Sequence, residues 1–171
     1  MSNTLAKKAA EIVRDAGGRI VGRTKFQKIA YLLTATGLES GLPFVYKHYG
    51  PYSEPFSAAL REANLLGLLK ETEDLASWGG TYSIYTVSDQ PDPSAHPARL
   101  KLARVAVNAD AVELELAATA VFLSKEGHQN PWSETERRKP EKAANGRLAK
   151  AKALYQQLRE ITTPIGLPNI I

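Results

Sequence analysis

Gly22-Arg-Thr-Lys-Phe-Gln-Lys-Ile-Ala-Tyr-Leu32 and, 14 residues after Tyr31, Val45-Tyr-Lys-His-Tyr-Gly-Pro-Tyr-Ser53 are the two stretches on which the fold turns. In the first, Phe26, Ile29, Ala30 and Leu33 recur at helical spacing, so a helix is expected over residues 23–35 with Lys25 and Lys28 flanking its buried stripe. Gly37 ends it. In the second, residues 44–49 read as a short extended piece, and Gly50-Pro51 is a strong turn signal. Ser53 is a good N-cap, and Pro55 is tolerated in the first turn of the helix that follows.

Working outward, that third helix covers residues 54–66, with Phe56, Ala59, Leu60 and Ala63 facing inward. Gly67 permits a turn into Leu68-Leu69-Lys70, residues 73–80 read as a loop, and residues 82–87 are aromatic and β-branched enough for a strand. Upstream, Leu5, Ala9, Ile12, Val13 and Ala16 mark a helix over residues 4–16, closed by Gly17-Gly18. Three helices followed by a two-stranded hairpin is the order of a winged helix. Pro91, Pro93 and Pro97 stiffen a connector over residues 90–97, where a soft boundary falls. Beyond it we expect a short helix over residues 98–107. A nearly all-apolar helix over residues 111–123 should follow, opened by Asp110 and Glu113 as a capping box. Ser133 and Glu136 offer another capping box, interrupted by Pro140, and a long basic helix should run over residues 141–160. The apolar tail, residues 163–171, is broken by prolines and is not expected to be helical; it reads as packed on the body or as an extended segment that enters a partner's groove or sheet edge. The expected fold class is therefore α+β and mostly helical. A winged-helix-like N-terminal unit with a two-stranded hairpin (residues 1–90) packs against a C-terminal helical half (residues 98–171), as one compact domain overall.

Together the two opening motifs resemble the YwgA-like family of bacterial and archaeal proteins and, more distantly, the Panacea or SocA-like antitoxin domain. Both carry a helix of this Lys-apolar-Gln-Lys pattern and a Tyr-Gly-Pro-Tyr-Ser turn. The second half is also similar to the YwgA-like pattern in Glu115-Leu-Ala-Ala-Thr-Ala-Val-Phe-Leu123 and Lys139-Pro140-Glu-Lys142. The match covers most of residues 20–160. The resemblance implies a winged-helix-like fold and no known enzyme activity. For the antitoxin relatives it implies binding and neutralising a toxin, sometimes as an adaptor to a protease. For the YwgA-like proteins it implies no settled function.

Charge is distributed unevenly. The chain carries 22 basic and 18 acidic side chains, a net +4. Residues 1–28 hold seven basic and two acidic side chains, residues 29–97 three and eight, and residues 128–171 eight and four. The ends are positive and the middle negative, so the overall sum does not by itself argue for nucleic acid. The helix expected to read DNA has Arg61 against Glu54 and Glu62, and Glu71, Glu73 and Asp74 follow it. Each neutralised phosphate adds affinity through counterion release, and this segment would oppose that. Nucleic-acid contact, the alternative reading, would fall instead on Arg19, Arg23, Lys25 and Lys28, and on Arg137, Arg138, Lys139, Lys142 and Arg147.

Nothing points to catalysis. The chain has no cysteine and three histidines, His48, His96 and His128, none at metal-ligand spacing with another. Ser53 reads as a helix cap, since a nucleophile would also need an orienting group and an oxyanion hole. No cofactor, metal or catalytic residue is expected. The absence of a signal-peptide core or an apolar run of about 18 residues suggests a cytoplasmic protein without membrane contact. The expected function is a non-enzymatic interaction module, antitoxin-like or a defence-associated regulator. Its partner would be a protein such as a toxin or a component of a protease system, and self-association is left open. The surface would be built from Tyr31, Tyr46, Tyr49 and Tyr52, with Lys25, Lys28 and Lys47 steering, because tyrosine combines contact area with a polar tip at low entropy cost. The same rings read equally as packing between two helices, with Tyr46 and His48 turned to one side of the extended piece and Lys47 and Tyr49 to the other.

Overall fold

The computed structural model describes residues 2–170, with side chains from Thr4 onward; Ile171, the end of the apolar tail, lies outside the described residues. The chain is mostly helical α+β. Helix α1 (Ser2–Asp15) leads into β1 (Arg19–Val21) and α2 (Arg23–Ala35). A small hairpin of β2 (Val45–Lys47) and β3 (Gly50–Tyr52) precedes α3 (Glu54–Leu65), and β4 (Lys70–Leu75) and β5 (Thr81–Thr86) complete the N-terminal half. The sheet has three strands in the order β1-β5-β4, all antiparallel, with Ile20 opposite Tyr85 and Glu71 on the other side of the same residue. The N-terminal half runs helix–strand–helix–helix–strand–strand, with the β2–β3 hairpin inserted before α3.

The second half holds α4 (Pro97–Asn108), α5 (Ala111–Lys125), α6 (Pro131–Arg138), α7 (Pro140–Ala143) and α8 (Arg147–Arg159). Helix α5 is buried along most of its circumference, from Leu114 to Leu123, and packs against α2, β3, α6 and α8. One hydrophobic cluster therefore runs from Ala6 to Ile170 across both halves. Within it Phe26 meets Phe56 and Tyr85 edge to face, with ring centroids 5.2 and 4.9 Å apart, which locks α2 to α3 and the sheet. The tail is docked: Leu167 and Ile170 are buried, Ile165 N donates to Thr36 O, and Tyr155 Oη donates to Pro168 O.

Several local readings are corrected. β1 adds a third strand where a two-stranded hairpin was expected; three residues are too few to show alternation, and the pairing with β5 makes the strand. β4 runs through Glu73-Asp74, residues that read as a loop, because cross-strand hydrogen bonds to β5 outweigh poor strand propensity. The long basic helix is two helices. Asn145 and Gly146 both have positive φ (60° and 79°), which ends α7 and restarts the chain as α8. The helix before it starts on Asn130 with Pro131 in its first turn, so Ser133 lies inside α6 and caps nothing. It ends at Lys139, whose φ of −131° leaves the helical region as a residue preceding proline does. The cap at Ser53 forms as expected, its Oγ accepting from Phe56 N, and Asp110 supplies its half of the expected capping box, Oδ1 accepting from Val112 N and Glu113 N. Among the described residues no helix is long and apolar enough to cross a membrane.

Candidate binding surface at the Gly-Pro corner

The β2–β3 hairpin is held from beneath by side chains reaching its main chain. Lys28 Nζ donates to Pro51 O at 2.8 Å, and Lys139 Nζ to His48 O at 2.7 Å. Gln27 makes a two-way bridge to Ser53, donating to its carbonyl at 3.0 Å and accepting from its amide at 2.9 Å. Gly50, at φ +87°, sits so close to α5 that a Cβ there would fall 2.5 Å from Thr119 Oγ1. The glycine is required twice, by backbone conformation and by space.

Under the corner lies a charged cluster. Glu115 is buried on α5 and receives Lys139 at 3.0 Å and Lys142 at 2.7 Å. Lys28 is 1% exposed. Desolvation, reinforced by Lys139 and Lys142 and opposed by Glu115, pushes its pKa from 10.5 down to about 8. The folded chain releases this proton near pH 8, whereas the unfolded chain keeps it to about 10.5. The unfolded state thus binds more protons in that window, and Lys28 makes stability rise with pH across it. Urea unfolding at pH 7, 8, 9 and 10 checks this. The stability of wild type relative to Lys28→Met should climb over that range, and a flat difference would contradict it.

The seven side chains expected to meet a partner divide. Lys28 and Tyr31 are buried, and Lys25 is half-buried, donating to Val107 O at 3.1 Å and Ala109 O at 2.7 Å, where it satisfies carbonyls at the end of α4. These three hold the fold and do not reach solvent as steering groups. Tyr31 packs edge-on to Phe44 with centroids 5.2 Å apart. Tyr46 is half-buried, under the Arg138 guanidinium at 4.8 Å and beside Phe122. Lys47 is exposed, Tyr52 is half-buried, and Tyr49 is 56% exposed with Lys142 Nζ 4.6 Å from its ring centre. The alternation expected for the extended piece breaks down: His48 is exposed because the chain turns there.

The basic stretch is not a continuous patch. Arg137 and Arg138 both pair with Glu134, at 2.5 and 2.6 Å, while Lys139 and Lys142 pair with Glu115. Lys139 is buried, which removes it from any nucleic-acid surface. Arg19, Arg23 and Arg147 remain exposed. Of the histidines, His96 caps α4, its Nδ1 accepting from Ala98 N at 3.1 Å, while His48 and His128 are exposed.

Sequence reasoning missed a groove of about 410 Å³ beside the corner, between α2, α3 and the sheet. Arg23, Arg61, Tyr49, Tyr52, Glu71 and Tyr85 line it, and residues so far apart in the chain carry no shared local signal. It also passed over Leu75 and Trp78 at the β4–β5 turn, which are largely exposed. The buried cluster did have a signal, since Glu115 is a charged residue within the mostly apolar run from Leu114 to Leu123.

Fold and surface together define a mostly helical α+β chain that presents a pinned, ring-bearing corner. No family model and no solved structure matches it. Over 43 residues, 25% of the chain, it is 44% identical to part of a DNA ADP-ribosyl glycohydrolase of Thermus aquaticus. The matched stretch amounts to 12% of that protein's length.

Proposed function

We propose that this chain is a non-enzymatic interaction module, antitoxin-like in character, that binds a partner protein through Tyr49, Tyr52 and Lys47 at the Gly-Pro corner. The observation that supports this best is the pinning of the corner. Lys28, Gln27 and Lys139 fix its backbone from inside while Tyr49 projects into solvent. A surface already ordered before contact loses little entropy on binding, and tyrosine at such a place is a frequent hot spot. The antitoxin character rests on the more distant resemblance to the Panacea or SocA-like antitoxin domain alone. The glycohydrolase activity in the name of the Thermus protein is not carried over, since the shared stretch is a small part of that protein.

The test is affinity capture from the native host with the tagged chain, followed by titration of the captured protein. Tyr49→Ala and Lys47→Glu should each weaken binding by roughly tenfold or more, the loss typical of a hot spot at about 1.4 kcal/mol per factor of ten. Capture unchanged by both substitutions would overturn the assignment of the surface. The nucleic-acid alternative, resting on exposed Arg19 and Arg23, separates by salt. DNA affinity would fall by orders of magnitude from low to moderate salt, whereas a protein interface built on rings would change little.

A further inference from the structure

We propose that the groove between α2, α3 and the Gly-Pro corner binds a phosphate carried on a planar ring, as in a nucleotide or the end of a nucleic-acid strand. Its volume of about 410 Å³ lies within the range of small-molecule sites, roughly 300–1,000 Å³. Two exposed guanidinium groups, Arg23 and Arg61, border it against one carboxylate, Glu71. That carboxylate is already engaged by Ser83 Oγ at 2.7 Å and only loosely by Arg23 at 3.4 Å. Among the described residues, Arg61 has one side-chain hydrogen bond, a long 3.5 Å contact to Ser57 Oγ. Both guanidinium forks therefore keep donors for an oxyanion, and arginine matches phosphate in paired geometry.

A bare anion would leave the rest of the groove unused. Tyr49 and Tyr52 offer partly exposed rings to it, whereas Tyr85, which also lines it, is buried against Phe26. Base stacking on such rings contributes about 1–3 kcal/mol per base where it has been measured by alanine substitution. Glu71 would repel a second phosphate but can accept from a ring amine or a sugar hydroxyl. Two guanidinium groups, tyrosine rings and one acceptor in the same groove suit a monophosphate joined to a base. The site does not rest on the protein-partner reading. Lys47, which carries charge for that reading, lies outside the groove, so failure of one leaves the other standing.

Isothermal titration of the full chain with AMP, adenosine, inorganic phosphate and a 5′-phosphorylated hexadeoxyadenylate tests it. AMP should saturate one site, with adenosine and phosphate each at least tenfold weaker. Arg61→Gln and Arg23→Gln should each weaken AMP about tenfold. Tyr52→Phe should keep binding and Tyr52→Ala should lose it. Both arginines are exposed, so unchanged melting temperatures are expected alongside. Oligonucleotide affinity equal to or above that of AMP identifies a strand end as the ligand, and lower affinity identifies the free nucleotide. Absence of AMP binding at millimolar concentration, or AMP binding undiminished in the Arg23→Gln/Arg61→Gln double variant, overturns the proposal.

Discussion

Glu115→Gln should destabilise this chain by about 3–5 kcal/mol, the cost of breaking a buried ion pair by removing one partner. The carboxylate is buried and serves two ammonium groups, Lys139 at 3.0 Å and Lys142 at 2.7 Å, with Lys28 close enough to feel it. Glutamine keeps the shape and removes the charge. Lys142 is partly exposed and can turn toward water, but the Lys139 side chain is 4% exposed and has no such route. Lys139 also holds His48 O, so its disturbance would loosen the corner as well as the core. Urea unfolding gives the stability, and hydrogen exchange at the hairpin amides gives the loosening. A loss below about 1 kcal/mol would show that Lys139 reaches solvent or a new partner without the carboxylate, and the reading of the cluster would be wrong.

Gly50→Ala should destabilise by about 2–4 kcal/mol, combining a strained left-handed backbone with overpacking against α5. The two parts can be separated. The new methyl would lie 2.5 Å from Thr119 Oγ1, and that hydroxyl is buried without a hydrogen-bond partner among the described residues. Removing it in Gly50→Ala/Thr119→Ala should recover the steric part and leave the backbone part, a coupling that a double-mutant cycle reads directly. Full additivity of the two substitutions would mean that the hairpin does not rest on α5 as described. Because the hairpin presents Tyr49, the single variant should also weaken whatever that ring contacts, which thermal melting alone would not reveal.

What was legible in the sequence were features encoded locally. Apolar spacing in α1, α2, α3 and α5 placed those helices within about two residues of their ends. Ser53 and Asp110 were readable as caps because the chemistry of a cap is complete within three residues. Gly50-Pro51 signalled a turn, but the turn falls two residues earlier, at His48-Tyr49, and Gly50–Tyr52 pair with β2 as a strand. The lysines of α2 were misjudged because their spacing beside the apolar stripe is the same whether they face water or reach over it. Lys25 and Lys28 have stems long enough to reach distant carbonyls, and those carbonyls belong to α4 and β3.

By itself the sequence determined the helices α1 to α5, the caps at Ser53 and Asp110 and the uneven charge, since each is set by residues close together in the chain. Tertiary structure alone decided that β1 completes the sheet, that Glu115 gathers Lys139 from the α6–α7 junction and Lys142 from α7, and that Arg23, Arg61 and the tyrosines border one groove. Those outcomes depend on which distant groups meet once apolar faces are buried. A lysine becomes structural or accessible only when it is settled what lies at the end of its stem.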